Sequence, residues 1–141
     1  MENTISQNDG ITIQFNNKKA LEMFYNALCN SLGYMCSSYD LRLWYSKTDY
    51  ENAKNEIQKA NPNTFICYED VLVKIIELGG ELRLIDEEGG MPTESLTYPK
   101  LVKNIANTPI NHLLAMINEN DDATTGDVII QQCFYNDVIF G

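Results

Sequence analysis

Residues 65–90, FICYEDVLVKIIELGGELRLIDEEGG, constrain the fold more than any other stretch of this chain. Tyr68, Val71, Leu72, Ile75 and Ile76 recur at helical spacing, with Leu78 close by, so the segment begins as an amphipathic helix. Glu69 and Asp70 fall in its first turn, where the helix dipole favours negative charge. Gly79 is placed to end it, since glycine takes the positive φ of a C′ residue at no steric cost. Leu82 and Leu84 then alternate with Arg83, the period of a short strand, and Asp86 to Gly90 form an acidic turn. Because the Gly79-Gly80 reversal is short, the strand should pack back over the preceding helix.

Upstream, residues 1–10 read as a flexible arm. Ile11, Ile13 and Phe15 alternate with polar residues and predict a half-buried strand. Asn16 and Asn17 can cap a helix whose stripe is Leu21, Phe24, Tyr25, Leu28 and Leu32, with Gly33 as its stop. Residues 34–47, YMCSSYDLRLWYSK, are the aromatic-rich part of the chain. A strand near 40–45 would put Leu41, Leu43 and Tyr45 on one face, and Arg42 with Trp44 on the other. Arg42, Trp44 and Tyr45 are candidates for a ligand or partner surface. The plainer reading is a second core layer, or a sheet face covered by a helix. Thr48 and Glu51 match a capping box for a helix with stripe Tyr50, Ala53, Ile57 and Ala60, ended by Asn61-Pro62. Residues 61–64 are the best hinge candidate, but each half is small for an independent core. The expectation is one α+β domain over 1–141, with five or six helices and a small sheet.

Downstream, residues 91–98 read as a loop or short edge strand, and Pro99 suits the first turn of a helix carrying Leu101, Val102 and Ile105. Thr108-Pro109 repeats the start signal, before a stripe of Ile110, Leu113, Leu114 and Ile117. The acidic run Glu119 to Asp122 should end that helix and cap the next. The final helix is apolar on two sides, with Val128, Ile129, Gln132, Cys133 and Tyr135 on one and Ile130 and Phe134 on the other, so it should be sandwiched. Val138, Ile139 and Phe140 should dock in a sheet, or else meet a partner.

Charge narrows the function classes. Net charge is −10 over 141 residues. Residues 1–60 hold seven acidic and six basic side chains, a net of −1; residues 61–141 hold thirteen and four, a net of −9. Such a surface repels phosphate backbones and anionic membrane, so direct nucleic-acid and membrane binding are disfavoured. It suits a basic partner, or mimicry of a nucleic acid toward a nucleic-acid-binding protein; plain solubility would also explain it. Glu87, Glu88, Glu119, Asp121 and Asp122 are the candidate partner-binding residues. The polar opening, MENTISQNDG, lacks a signal-peptide pattern, which points to a cytoplasmic protein.

Sites for chemistry fail one by one. Cys29, Cys36, Cys67 and Cys133 form no C-x-x-C pair and lie far in sequence from the single histidine, so no metal site is expected; they read as free thiols of a reducing compartment. Counted from Asp86, a calcium loop would need glycine sixth and glutamate twelfth, where Met91 and Thr97 stand. Three acids on that turn should share solvent, which does not separate their pKa values into acid and base. The glycines match no phosphate loop. His112 has no triad partner at a recognisable spacing and reads as a surface or hydrogen-bonded residue. No catalytic, cofactor or metal residues are assigned, and a non-enzyme is expected.

GGELRLIDEEGG, followed by TPINHLLAMINENDDATTGDVIIQQCFYNDVIFG, resembles small acidic proteins of gut-bacterial genomes, phages and mobile elements, over residues 68–141. The resemblance implies a compact accessory protein directed at a host or phage protein. From the net −9 of residues 61–141 beside an almost neutral N-terminal half, the leading expectation is a non-enzymatic protein that occupies a basic surface of another protein, such as a nuclease or other defence component, as an inhibitor or nucleic-acid mimic. The alternatives are a structural component of a virion or homo-oligomer, using the aromatic patch and the Ile139-Phe140-Gly141 end, and a protein that sequesters a nucleotide-like ligand with Arg42, Trp44 and the tyrosines.

Overall fold

The computed structural model describes the backbone of residues 3–8 and 11–141, with side chains from residue 13 onward. Among the described residues six helices, a two-stranded antiparallel ladder and a separate three-stranded antiparallel sheet surround one core, the helix-rich α+β architecture expected. Strands β1 (Asn3–Asn8) and β2 (Ile11–Asn16) pair antiparallel. Most of the expected arm is therefore strand, because its backbone groups find partners in β2; residues 1–2 and 9–10 lie outside the described residues.

Helix α1 (Asn17–Ser38) starts where predicted, with the Asn16 side chain accepting from Lys19 N at 2.8 Å. It does not stop at Gly33. The buried stripe continues through Leu32 to Met35, and the helix ends at Tyr39, just before Asp40 takes a left-handed turn at φ 53°. Asp tolerates that region better than most residues, and the chain enters β3 (Leu41–Trp44) directly.

Helix α2 (Lys47–Ala60) is capped by Ser46 and not by Thr48. The Ser46 hydroxyl accepts from Asp49 N, so the helix begins earlier than the Thr48–Glu51 box implied. Of its predicted stripe Ala53 is buried and Ile57 half-buried, while Ala60 is exposed. Residues 61–64 form an exposed turn into α3 (Tyr68–Glu77), which packs on α2. Asp70 reaches back to Cys67 N at 3.0 Å and closes the start of α3; Gly79, at φ 92°, ends it.

Strand β4 (Leu82–Asp86) lies between β3 and the edge strand β5 (Glu94–Leu96), with Leu41 opposite Asp86 and Leu82 opposite Leu96. Pro99 lies in the first turn of α4 (Tyr98–Ile105). Helix α5 (Ile110–Ile117) is capped by Pro109 rather than Thr108, since the Pro109 carbonyl accepts the first ladder bonds from His112 and Leu113 N. Its core contacts come from Leu113 and Met116, and Leu114 is exposed.

Helix α6 (Ala123–Tyr135) is the sandwiched helix expected, buried from Thr125 through Phe134 except at Val128. Its longest seam is with α1. A Cβ added at Gly126 would collide with Ser31 Oγ and come within 3.0 Å of the Ala27 carbonyl, so glycine is what lets the two helices meet this closely. Ser31 donates across the seam to the Ala123 carbonyl at 2.6 Å, and Phe24 meets Phe134 with ring centroids 6.4 Å apart. Of residues 138–140 only Phe140 packs on the core, against these helices and not in a sheet; Val138 and Ile139 keep exposed side chains. Gln131 Oε1 accepts from Ile139 and Phe140 N at 2.7 Å each, Gln131 Nε2 donates to the Phe140 carbonyl, and Phe140 stacks on Tyr39 at 5.2 Å.

Candidate functional site

The residues singled out by sequence fall in three places. The acidic turn after β4 is not uniformly solvated. Asp86 is buried and accepts from Glu88 N at 3.0 Å and Met91 N at 2.9 Å, so it shapes the turn. Glu87 is bound to Arg42 across the sheet, which joins one predicted acidic contact to the predicted ligand surface. Glu88 is exposed. The second place is the α5–α6 turn. Glu119 is exposed in a left-handed conformation at φ 59°, Asp121 accepts from Asn30 of α1, and Asp122 caps α6 by accepting from Thr125 N at 2.9 Å. That Thr125 bond, with His112 nearby, holds the Asp122 carboxyl below its ordinary value. His112 Nδ1 lies 3.0 Å from Thr125 Oγ1, the hydrogen-bonded role expected of it. Among the described residues no hydrogen bond or ion pair links the two acidic turns, and no group of side chains could hold a metal ion.

The third place is β3. Trp44 lies under the Arg83 guanidinium, 4.5 Å from the ring centroid, and Tyr45 stacks on Tyr50 at 5.1 Å with Tyr68 beside both. The aromatic segment thus divides. Leu41 and Met35 are core, Tyr45 and Tyr50 are half-buried, and Tyr68 and Tyr34 are exposed. Burial, followed by the Tyr45 hydroxyl, raises the Tyr68 pKa and keeps that phenol protonated.

Beside β3 runs an open groove of about 380 Å³ lined by Leu32, Gly33 and Cys36 of α1, Leu41 to Leu43 of β3, and Tyr68 and Glu69 of α3. Three consecutive strand residues can line one groove only if the strand's backbone edge faces it, because their side chains alternate. Hydrogen bonding agrees. Glu87 N donates to the Asp40 carbonyl, which makes 40 and 87 a bonded pair. In this register Arg42 and Trp44 then turn their backbone groups toward β4, while Leu41 and Leu43 turn theirs outward. Burial pushes the Cys36 thiol pKa up, so the groove's sulfur stays protonated and weakly nucleophilic. The arrangement offers backbone donors and acceptors, apolar walls and one carboxylate, which is the equipment of a binding edge.

Sequence reasoning missed Gly33, Cys36, Tyr68 and Glu69 as neighbours of Arg42. One signal was available: the stripe Leu28, Leu32, Met35 runs past Gly33 at helical spacing, so that glycine belongs inside the helix. No protein-family model, curated protein or solved structure matches this chain. Among the described residues no helix is long and apolar enough to cross a membrane.

Proposed function

We propose that this protein acts by binding a basic surface of another protein, without chemistry of its own. One observation carries the reading. In residues 61–141, Lys74, Arg83 and Lys100 are each paired with a glutamate of the same half, Glu77, Glu81 and Glu94, and Glu87 takes Arg42. Of thirteen carboxylates there, four are thus paired, and nine have no cationic partner among the described residues. Several of the nine hold the fold, as Asp70, Asp86, Asp122 and Asp127 do. Glu88 and Glu119 are exposed and free to meet a partner's cations. An inhibitor or nucleic-acid mimic encoded by a phage or mobile element fits this charge, in keeping with the resemblance of residues 68–141.

Affinity purification of the tagged protein from its host, followed by binding measurements with the partner recovered, tests this. Wild-type affinity should fall as salt rises, and the double variant Glu88→Lys, Glu119→Lys should bind about tenfold more weakly or worse. Affinity indifferent to both salt and charge reversal would sink the reading. A nucleotide-like ligand draws no support from the arrangement, because Glu87 neutralises Arg42 and Arg83 covers Trp44.

A further inference from the structure

We propose that the outer edge of β3 is the docking site, and that its occupant is an extended segment of the partner with alternating basic and apolar residues, added as a strand beside Leu41–Trp44. This rests on the acidic-binding reading and specifies which element of the partner is recognised.

Three independent observations converge on this edge. The first is backbone polarity: Leu41 and Leu43 present N–H and C=O groups to the groove, and no hydrogen bond from the described residues takes them. An edge of this kind is a template for another strand. The second is Gly33. A glycine inside a helix weakens it, and among the described residues nothing requires one here, because an added Cβ meets none of their atoms within 4 Å. Gly126 is fixed by the seam it packs into; Gly33 faces open space in the groove. A bare helix surface opposite an open strand edge leaves room for a second backbone between them. The third is charge. Glu69 lines the groove beside apolar Leu32, Leu41 and Leu43, while the one cation there, Arg42, is held by Glu87. An inserted strand would place apolar side chains against the leucines and basic ones near Glu69.

The test selects peptides from a phage-displayed random library on the whole protein at low salt, then measures synthetic copies. The single tryptophan, Trp44, lies in the strand concerned and reports occupancy by fluorescence. Hydrogen exchange at the Leu43 amide reports strand addition directly. The expected peptides alternate basic and apolar residues, slow exchange at Leu43, and weaken by about tenfold or more on Gly33→Leu. That variant should fold at least as stably as wild type, so its loss of binding cannot be loss of structure. Failure to select any peptide overturns the proposal. So do peptides indifferent to Gly33→Leu that leave Leu43 exchange unchanged; charge reversal at Glu88 and Glu119 then still decides the acidic reading by itself. Peptides that need Gly33 but carry no basic residues, with salt-independent affinity, overturn the basic occupant; the acidic reading still stands or falls on charge reversal at Glu88 and Glu119. A concentration-dependent dimer abolished by Gly33→Leu would assign the edge to a second copy and overturn the partner segment.

Discussion

Two helix-interior glycines mark two regions that behave in opposite ways. At Gly126 the absence of a side chain is used up: α1 and α6 close on it, and Ser31 bridges the same spot. At Gly33, on the other side of α1, the absence is left open. The first lies in a seam of interdigitated side chains, the second beside a strand edge with outward backbone groups. One residue type therefore serves close packing within the molecule at one position and access from outside at the other. Glycine in a helix is informative only once its surroundings are known.

Substitutions can break that contrast, and the largest effect should come from the seam. Gly126→Ala should lower stability by about 3 kcal/mol, because the Cβ must displace Ser31 or the α1 backbone; urea unfolding followed by circular dichroism measures it. Gln131→Leu should cost about 2 kcal/mol by releasing the Ile139 and Phe140 amides, and those two amides should then exchange hydrogen freely. Gly33→Ala should do the reverse and stabilise by about 1 kcal/mol, since the helix gains propensity and nothing is crowded. A loss at Gly33 equal to that at Gly126 would erase the distinction between the two regions.

Two smaller effects sharpen it. Asp122→Ala should lower the melting temperature at neutral pH by removing the α6 cap. The Asp122 carboxyl is held below its ordinary value in the folded state. Its contribution is therefore fully present above the unfolded-state pKa of about 3.9, and is lost as the pH falls through the lower folded value. Wild type and variant should converge in melting temperature over that acidic range. Glu88→Lys should change stability by no more than about 0.5 kcal/mol, as an exposed turn residue, so any loss of binding it causes is electrostatic.

Much of the local architecture was legible because short-range physics decides it. The α3 helix, the Gly79 reversal and β4 follow from periodicity and one positive φ. The two-sided apolar pattern of α6 identified the sandwiched helix. Caps proved less legible, as Ser46 and Pro109 show: a hydroxyl or a proline within two residues of a start satisfies the same rule, and packing chooses between them. Contacts across the chain could not be read at all. Arg42 meets Glu87 forty-five residues away, and Asn30 meets Asp121 ninety-one residues away. Both pairs took carboxylates that sequence alone leaves available to a partner. The candidate site was half visible: Arg42, Trp44 and Tyr45 were picked out, but the groove belongs to the strand's edge, and its far walls come from α1 and α3.

The α1–α6 seam also governs how the molecule comes into being. The Ser31–Ala123 bond spans ninety-two residues, and the Tyr39 hydroxyl reaches the Asp127 carboxylate across eighty-eight. Closing loops of that length precedes any gain from the contact, so folding speed should be limited by this late, non-local step. Until it happens the apolar stripe of α1, Phe24 included, stays wet, and the half-made protein is at its most aggregation-prone while its local helices are already formed.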